Sequence, residues 1–293
     1  MKPIPFLARF KVSTKIGVGF AIVLLLLTAV SSFGGLALND AVRLQTSYAE
    51  ISDNAQRVIR IAHLVAEMRR DARVAIDEND FEATVRANDL GTRLSLMLEE
   101  ALKATSDPEG RKNLTRMQSL LRSYEADFSK AVSKEEERTE AIDQGMNPLG
   151  AKARTNLTEI IRSAMSQEDY PAAAHAGIAQ EALMLARISA LRFIANDDKT
   201  QIEEFARRLE AFNEAATRLQ ERLADPAQQA LTAELVTLTR DYAAAFAKVV
   251  ATTAETHRLV DGTMAETAGE IGRLSRNTSD SQHDALAAIR TKP

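Results

Sequence analysis

The chain has no cysteine and no tryptophan among its 293 residues, and only 4 Tyr and 10 Phe. Without cysteine there are no disulfides, thiolate nucleophiles, cysteine-based zinc sites or covalent haem. A glycine-rich phosphate loop, a nucleophile elbow and paired acids in a loop-built cleft are also missing, so nothing points to an enzyme. The histidines, at 63, 175, 257 and 283, do not pair at metal-ligand spacing on one helix, and neither a metal nor another cofactor is expected. A basic surplus is absent as well. The formal charge is −4, which argues against nucleic acid as a partner.

What the chain does have is Ala, Leu, Glu, Arg and Thr in abundance, the composition of long helices. Its charge is uneven. Residues 1–38 carry Lys2, Arg9, Lys11 and Lys15 and no acid. Behind them, residues 16–38 (IGVGFAIVLLLLTAVSSFGGLAL) form an uncharged stretch long enough to span a bilayer. The positive-inside rule then places residues 1–15 in the cytoplasm and the chain beyond residue 38 in the periplasm. A cleaved signal peptide is the rival interpretation, though the apolar run is long and no A-x-A site follows it.

Apolar residues at three- and four-residue steps predict six helices. The first covers about 39–78, with Val58, Ile61, Val65, Met68, Ala72 and Ile76 inward. The second covers about 80–105, with Val85, Leu94, Met97, Leu98 and Leu102 inward. Asp107-Pro108 starts the third, which carries Leu114, Met117, Leu121, Tyr124 and Phe128 on one face and reaches about 164. Gly145 to Gly150, with Pro148, interrupts it as a kink or, alternatively, as a full reversal. Further helices are expected over about 172–196, 199–224 and, after Asp225-Pro226, 226–290. The run Lys134-Glu135-Glu136-Glu137-Arg138 is expected to be a solvated face.

A shift of 118 residues superposes the two halves without gaps. Arg69 falls on Arg187, Asp80 on Asp198, Asp107-Pro108 on Asp225-Pro226, Tyr124 on Tyr242, Phe128 on Phe246 and Met146 on Met264. Core periodicity alone would not align the caps, the Asp-Pro turns and the tyrosines together. A duplication with Pro148 as a kink yields an all-α fold, a six-helix rod of two stacked antiparallel four-helix bundles. The two long helices are shared. The proximal bundle takes about 39–135 and 255–290, and the distal bundle about 136–254.

A transmembrane helix followed by six helices in two stacked bundles resembles the helical bimodular sensor domain of bacterial chemoreceptors. The opening FKVSTKIGVGFAIVLLLLTAV also looks like the start of a methyl-accepting chemotaxis protein. The resemblance covers about residues 9–290 and rests on architecture and duplication rather than a diagnostic motif. It implies a homodimer, a small organic acid bound in each bundle, and signalling for chemotaxis through a second membrane helix to a cytoplasmic coiled coil. The sequence departs from that plan by ending at Pro293 with no second apolar span. A fragment of a longer receptor is therefore expected, and coupling to a kinase or adaptor would need the missing part.

On a helical wheel centred between Ile61, Val65, Met68 and Ala72, Arg57 and Arg69 flank the core, with Arg60 and Arg73 further out. Counting height along the rod puts Arg69 level with Tyr124 and His257-Arg258. Guanidinium and phenol between helices suit a carboxylate, because arginine offers a planar fork for bidentate bonds. The candidate proximal site is Arg69, Tyr124, Arg57, Arg60 and Arg258. The distal copy has Arg187 and Tyr242, with His175 in place of Arg57 and Glu140 in place of Arg258. Being less cationic, it is expected to take a smaller monocarboxylate or nothing, and the proximal site a dicarboxylate.

Three functions remain open on these grounds: a chemoreceptor sensor for small organic anions, the sensor of a histidine kinase, and a ligand-free scaffolding rod anchored in the membrane. The rod would have Arg69 and Arg187 bonded to protein acids. In a sensor the last helix would carry the signal, its small residues Gly262, Ala265, Ala268, Gly269 and Gly272 permitting a slide.

Overall fold

The computed structural model describes residues 12–290, and every regular element within them is helical. In order these are α1 (Val12–Asp77), α2 (Phe81–Ala104), α3 (Pro108–Glu140), α4 (Asn147–Ser166), α5 (Tyr170–Asn196), α6 (Thr200–Arg222), α7 (Pro226–His257) and α8 (Ala265–Arg290). A π-helical turn, Ala141–Met146, joins α3 to α4, and a second, Arg258–Met264, joins α7 to α8.

Aspartates set the boundaries. At the start of a helix the first N–H groups have no partner within the helix, and a short carboxylate supplies one. Asp80 accepts from the N–H of Glu82 at 2.8 Å, and Asp198 from that of Thr200 at 3.1 Å. Asp107 accepts from Gly110 at 2.7 Å, and Asp225 from Ala227 at 2.9 Å. The preceding turns match too: Asn79 and Asp197, 118 residues apart, are both left-handed, with φ of 52° and 50°. The two π turns end at Met146 and Met264, again 118 apart. The duplication legible in the sequence thus extends to caps, left-handed turns and helical bulges. Proline does not cause the bulge in general, since Glu266 stands where the first copy has Pro148.

The Asp198 and Asp225 carboxyls are held below the usual carboxylate range. Hydrogen bonds from the Thr200 and Gln201 side chains do this for Asp198, and the Ala227 N–H, then the Gln167 side chain, for Asp225. A depressed folded pKa gives stability that is present above the unfolded value of about 3.9 and lost as pH falls through the folded one. The gap in urea midpoint between the wild type and Asp225→Ala is therefore expected to be open at pH 7 and to shrink below about pH 4.

Two compact units form. The first comprises residues up to Ala66, Leu90–Leu121 and Glu270 onward; the second comprises Glu67–Asp89 and Arg122–Gly269. In the first, Val58, Ile61, Leu94, Leu98, Leu114, Met117, Ile271 and Leu274 are buried. Asn54 donates to the Thr105 hydroxyl at 2.6 Å there, and the Ser275 hydroxyl meets the Met117 sulfur at 3.3 Å. Val85, expected inward, is 43 % exposed, because the small Ala83 and Ala87 hold the inner face at the start of α2.

In the second unit α4, α5, α6 and α7 pack as a helical bundle. The inner face of α5 is mostly alanine (Ala172, Ala176, Ala179, Ala186, Ala190), which lets α6 and α4 approach closely. Aromatic residues fill the other side: Phe205 lies on Phe246 with ring centroids 4.3 Å apart, and Phe193 meets Phe246 edge-on at 5.7 Å. The helix through Pro148 does not reverse. A Cβ on Gly145 would meet Ala245, one on Gly150 would meet Tyr242, and Asn156 reaches Glu234 and Ser163 reaches Gln228. One partner number rises while the other falls, so the chain runs antiparallel to α7 on both sides of the proline. Pro148 sits in the first turn of α4, directly after the π turn.

The expected membrane span merges into α1 without a break. Among the described residues no helix is long and apolar enough to cross a membrane. The expected span, 16–38, includes residues 33 and 35–37, whose side chains lie outside the described residues. Its described apolar side chains, Phe20, Leu25 and Val30 among them, are exposed.

Candidate functional site

Both arginine–tyrosine pairs expected from the repeat come together, and both lie in the second unit. α1 carries Arg69 to the side of Tyr124 on α3; α5 carries Arg187 to the side of Tyr242 on α7. The tyrosines sit on the apolar faces of their helices and are buried, Tyr124 to 1 % exposure. Burial disfavours the phenolate, so both phenols titrate above their ordinary value, Tyr242 at about 12. The charge of Arg69 opposes that shift at Tyr124, and Arg187 opposes it at Tyr242 through its charge and its polar contact with the hydroxyl. At neutral pH each hydroxyl keeps its proton and can donate it.

The two copies differ in how far the arginine is drawn in. Arg69 is exposed, whereas Arg187 is half-buried. The neighbouring helix explains the difference. A Cβ on Gly150 would stand 2.8 Å from Arg187 Nε, 3.2 Å from its Cζ and 3.1 Å from Tyr242 Cε2. The missing side chain is what admits the guanidinium to the side of the phenol. Shifted by 118, Gly150 corresponds to Ala268, so the other copy has a methyl group at this position. Among the described residues Arg187 has, besides Tyr242, a weak side-chain contact from Nη1 to the Met184 sulfur at 3.9 Å. Neither Arg187 nor Arg69 has a carboxylate within ion-pairing distance among the described residues.

The remaining candidates are placed otherwise. Arg57 and Arg60 belong to the first unit, where Arg57 faces Glu100 at 3.8 Å and Arg60 is exposed. Arg258 lies in the second unit, clamped by both oxygens of Glu255 at 2.8 and 2.6 Å, and its pKa is raised by that bond. An arginine already held in this way gives little to an incoming anion. The distal counterparts are a half-buried His175 and an exposed Glu140. The copy with fewer cations thus has the more deeply drawn-in arginine beside its tyrosine.

Three features escaped the sequence. Gly150 gave no signal beyond its place two residues after a proline. Glu135 and Arg138, expected on a solvated face, turn inward instead: Glu135 is 8 % exposed and accepts from Arg138 Nη1 at 2.6 Å. Arg73 bonds Asp261 at 2.6 Å and His257 faces Asp197 at 3.3 Å, pairs far apart in sequence. Compared with protein-family models and with curated proteins, the chain matches none.

Proposed function

We propose that the chain is the extracytoplasmic ligand-sensing part of a transmembrane chemoreceptor, a homodimer that binds small organic carboxylates and passes a helix shift through α7 and α8 toward the membrane. In this proposal residues 16–38 anchor it in a bacterial inner membrane, with the N-terminus cytoplasmic and a six-helix rod of two stacked bundles in the periplasm. The uncharged stretch behind four basic residues supports the anchor. The π turns, repeated in both long helices, support a slide, because such bulges let a helix reseat its hydrogen bonds without unfolding.

One observation carries the ligand: a half-buried guanidinium beside a buried, protonated phenol, with no carboxylate among the described residues in ion-pairing distance. A scaffolding rod would pair that charge internally. A carboxylate can accept the fork of Arg187 and the O–H of Tyr242 at once, and a hydrogen bond to a charged group contributes about 1.5–3 kcal/mol. In calorimetric titrations of the full chain in detergent with acetate and succinate, Arg187→Ala is therefore expected to weaken binding at least about tenfold. Arg69→Ala should have a smaller effect, its guanidinium being exposed. Unchanged binding in both variants would remove the assignment.

A further inference from the structure

A polar cavity lies within the second unit, and neither Arg187 nor Tyr242 lines it. Its volume is about 260 Å³. At roughly 30 Å³ per water-sized group, that is room for about nine non-hydrogen atoms. The walls come from the C-terminal ends of α1, α3, α5 and α7, and from the π turn that follows α7.

The charges are Arg73 and Arg138 against Asp77, Glu135, Asp197 and Asp261, with the His257 ring facing Asp197 at 3.3 Å. Arg73 is spoken for by Asp261 and Asp77, at 2.6 and 3.2 Å. Arg138 gives Nη1 to Glu135 and Nη2 to the Ile194 carbonyl, while its Nε–H is buried without a partner. The Thr256 hydroxyl, on a residue 5 % exposed, is also buried without a partner. Buried polar groups are nearly always satisfied, so two orphans in the wall of one cavity call for an occupant. An apolar flank of Ile76, Phe193 and Val260 completes the wall.

The repeat shows that these charges are not an inherited ion pair. Positions 118 apart face the same cavity: Ile76 and Ile194, Asp77 and Ala195, Glu135 and Thr253, Arg138 and Thr256. In these pairs Asp77, Glu135 and Arg138 of the first copy carry charge and their counterparts do not. A salt bridge kept simply for stability since the duplication would recur on both sides.

The sign of the charges selects the ligand. With four carboxylates against two arginines the cavity repels a bare anion. The unsatisfied guanidinium N–H of Arg138 can only donate and carries positive charge, so it gives nothing to a bare cation. We infer that the cavity binds a small zwitterion with an aliphatic side chain, of the size of an apolar amino acid. Its ammonium group pairs with Glu135, its carboxylate turns toward Arg138 and Thr256, and its side chain lies on Ile76, Phe193 and Val260.

The test is calorimetry on the full chain in detergent with three probes: L-leucine, 4-methylpentanoate, which lacks the amine, and isoamylamine, which lacks the carboxylate. Leucine is expected to bind below about 1 mM and each half-molecule at least about tenfold more weakly. Glu135→Gln should weaken leucine binding at least about tenfold and Thr256→Val at least about threefold, with circular dichroism of both variants as in the wild type. Should Glu135→Gln not fold, Thr256→Val decides alone. Excess succinate should leave leucine binding unchanged, which separates this cavity from the carboxylate site. The inference is overturned by no leucine binding at about 10 mM, by equal binding of leucine and 4-methylpentanoate, by wild-type affinity in the folded variants, or by competition from succinate.

Discussion

Gly150→Ala is expected to leave the second unit folded and to lower its affinity for small carboxylates at least about tenfold. The added methyl would stand 2.8 Å from Arg187 Nε and 3.1 Å from Tyr242 Cε2. The tyrosine ring is packed on Phe205, with centroids 6.1 Å apart, and can yield only a few tenths of an ångström. The guanidinium, at the end of a flexible chain, is what moves. Ejecting it costs little stability, and alanine gains about 0.8–1.0 kcal/mol over glycine in a helix interior. Stability and binding should therefore separate, with a urea midpoint near that of the wild type while acetate or succinate heats disappear. Unaltered carboxylate binding in Gly150→Ala would show that the seat of Arg187 is irrelevant to function.

Phe246→Ala is expected to destabilise the second unit by about 3–5 kcal/mol, a large share of the roughly 5–15 kcal/mol available to a typical domain. Phe246 joins Phe205 at 4.3 Å and Phe193 at 5.7 Å, and its removal leaves a cavity in the cluster that also includes Tyr242 and Met146. The helices around that void are long and carry many other contacts, so they cannot collapse to fill it. Phe81 is the control: it opens α2 and is 78 % exposed, so Phe81→Ala should stay within about 0.5 kcal/mol of the wild type. Urea unfolding followed by circular dichroism measures both. A loss below about 1 kcal/mol at Phe246 would mean that the aromatic cluster does not hold the bundle.

Helix boundaries were legible because each is marked by local chemistry. Asp80, Asp107, Asp198 and Asp225 cap the helices that follow them, and those helices begin within a few residues of expectation. The 118-residue repeat was legible for the same reason, since caps and tyrosines depend on residue type. What stayed hidden depends on a neighbour from another helix. A wheel places Arg57, Arg69 and Arg258 near a core, but it does not show that Arg57 meets Glu100 on α2 or that Arg258 is held by Glu255 one turn away. The π turns are invisible to a 3.6-residue period and alter the phase after them. Gly150 gains meaning only once Arg187 and Tyr242 are beside it. Glu135 and Arg138 look like any charged run until the end of α5 is placed over them, where Arg138 reaches the Ile194 carbonyl.

The most direct measurement is a high-resolution crystal structure of the chain with acetate or succinate bound. The predicted result is a carboxylate within hydrogen-bonding distance of the Arg187 guanidinium and the Tyr242 hydroxyl, lying over Gly150. A carboxylate seated instead on Arg57 or Arg258, with Arg187 turned to a protein acid, would contradict the proposed site.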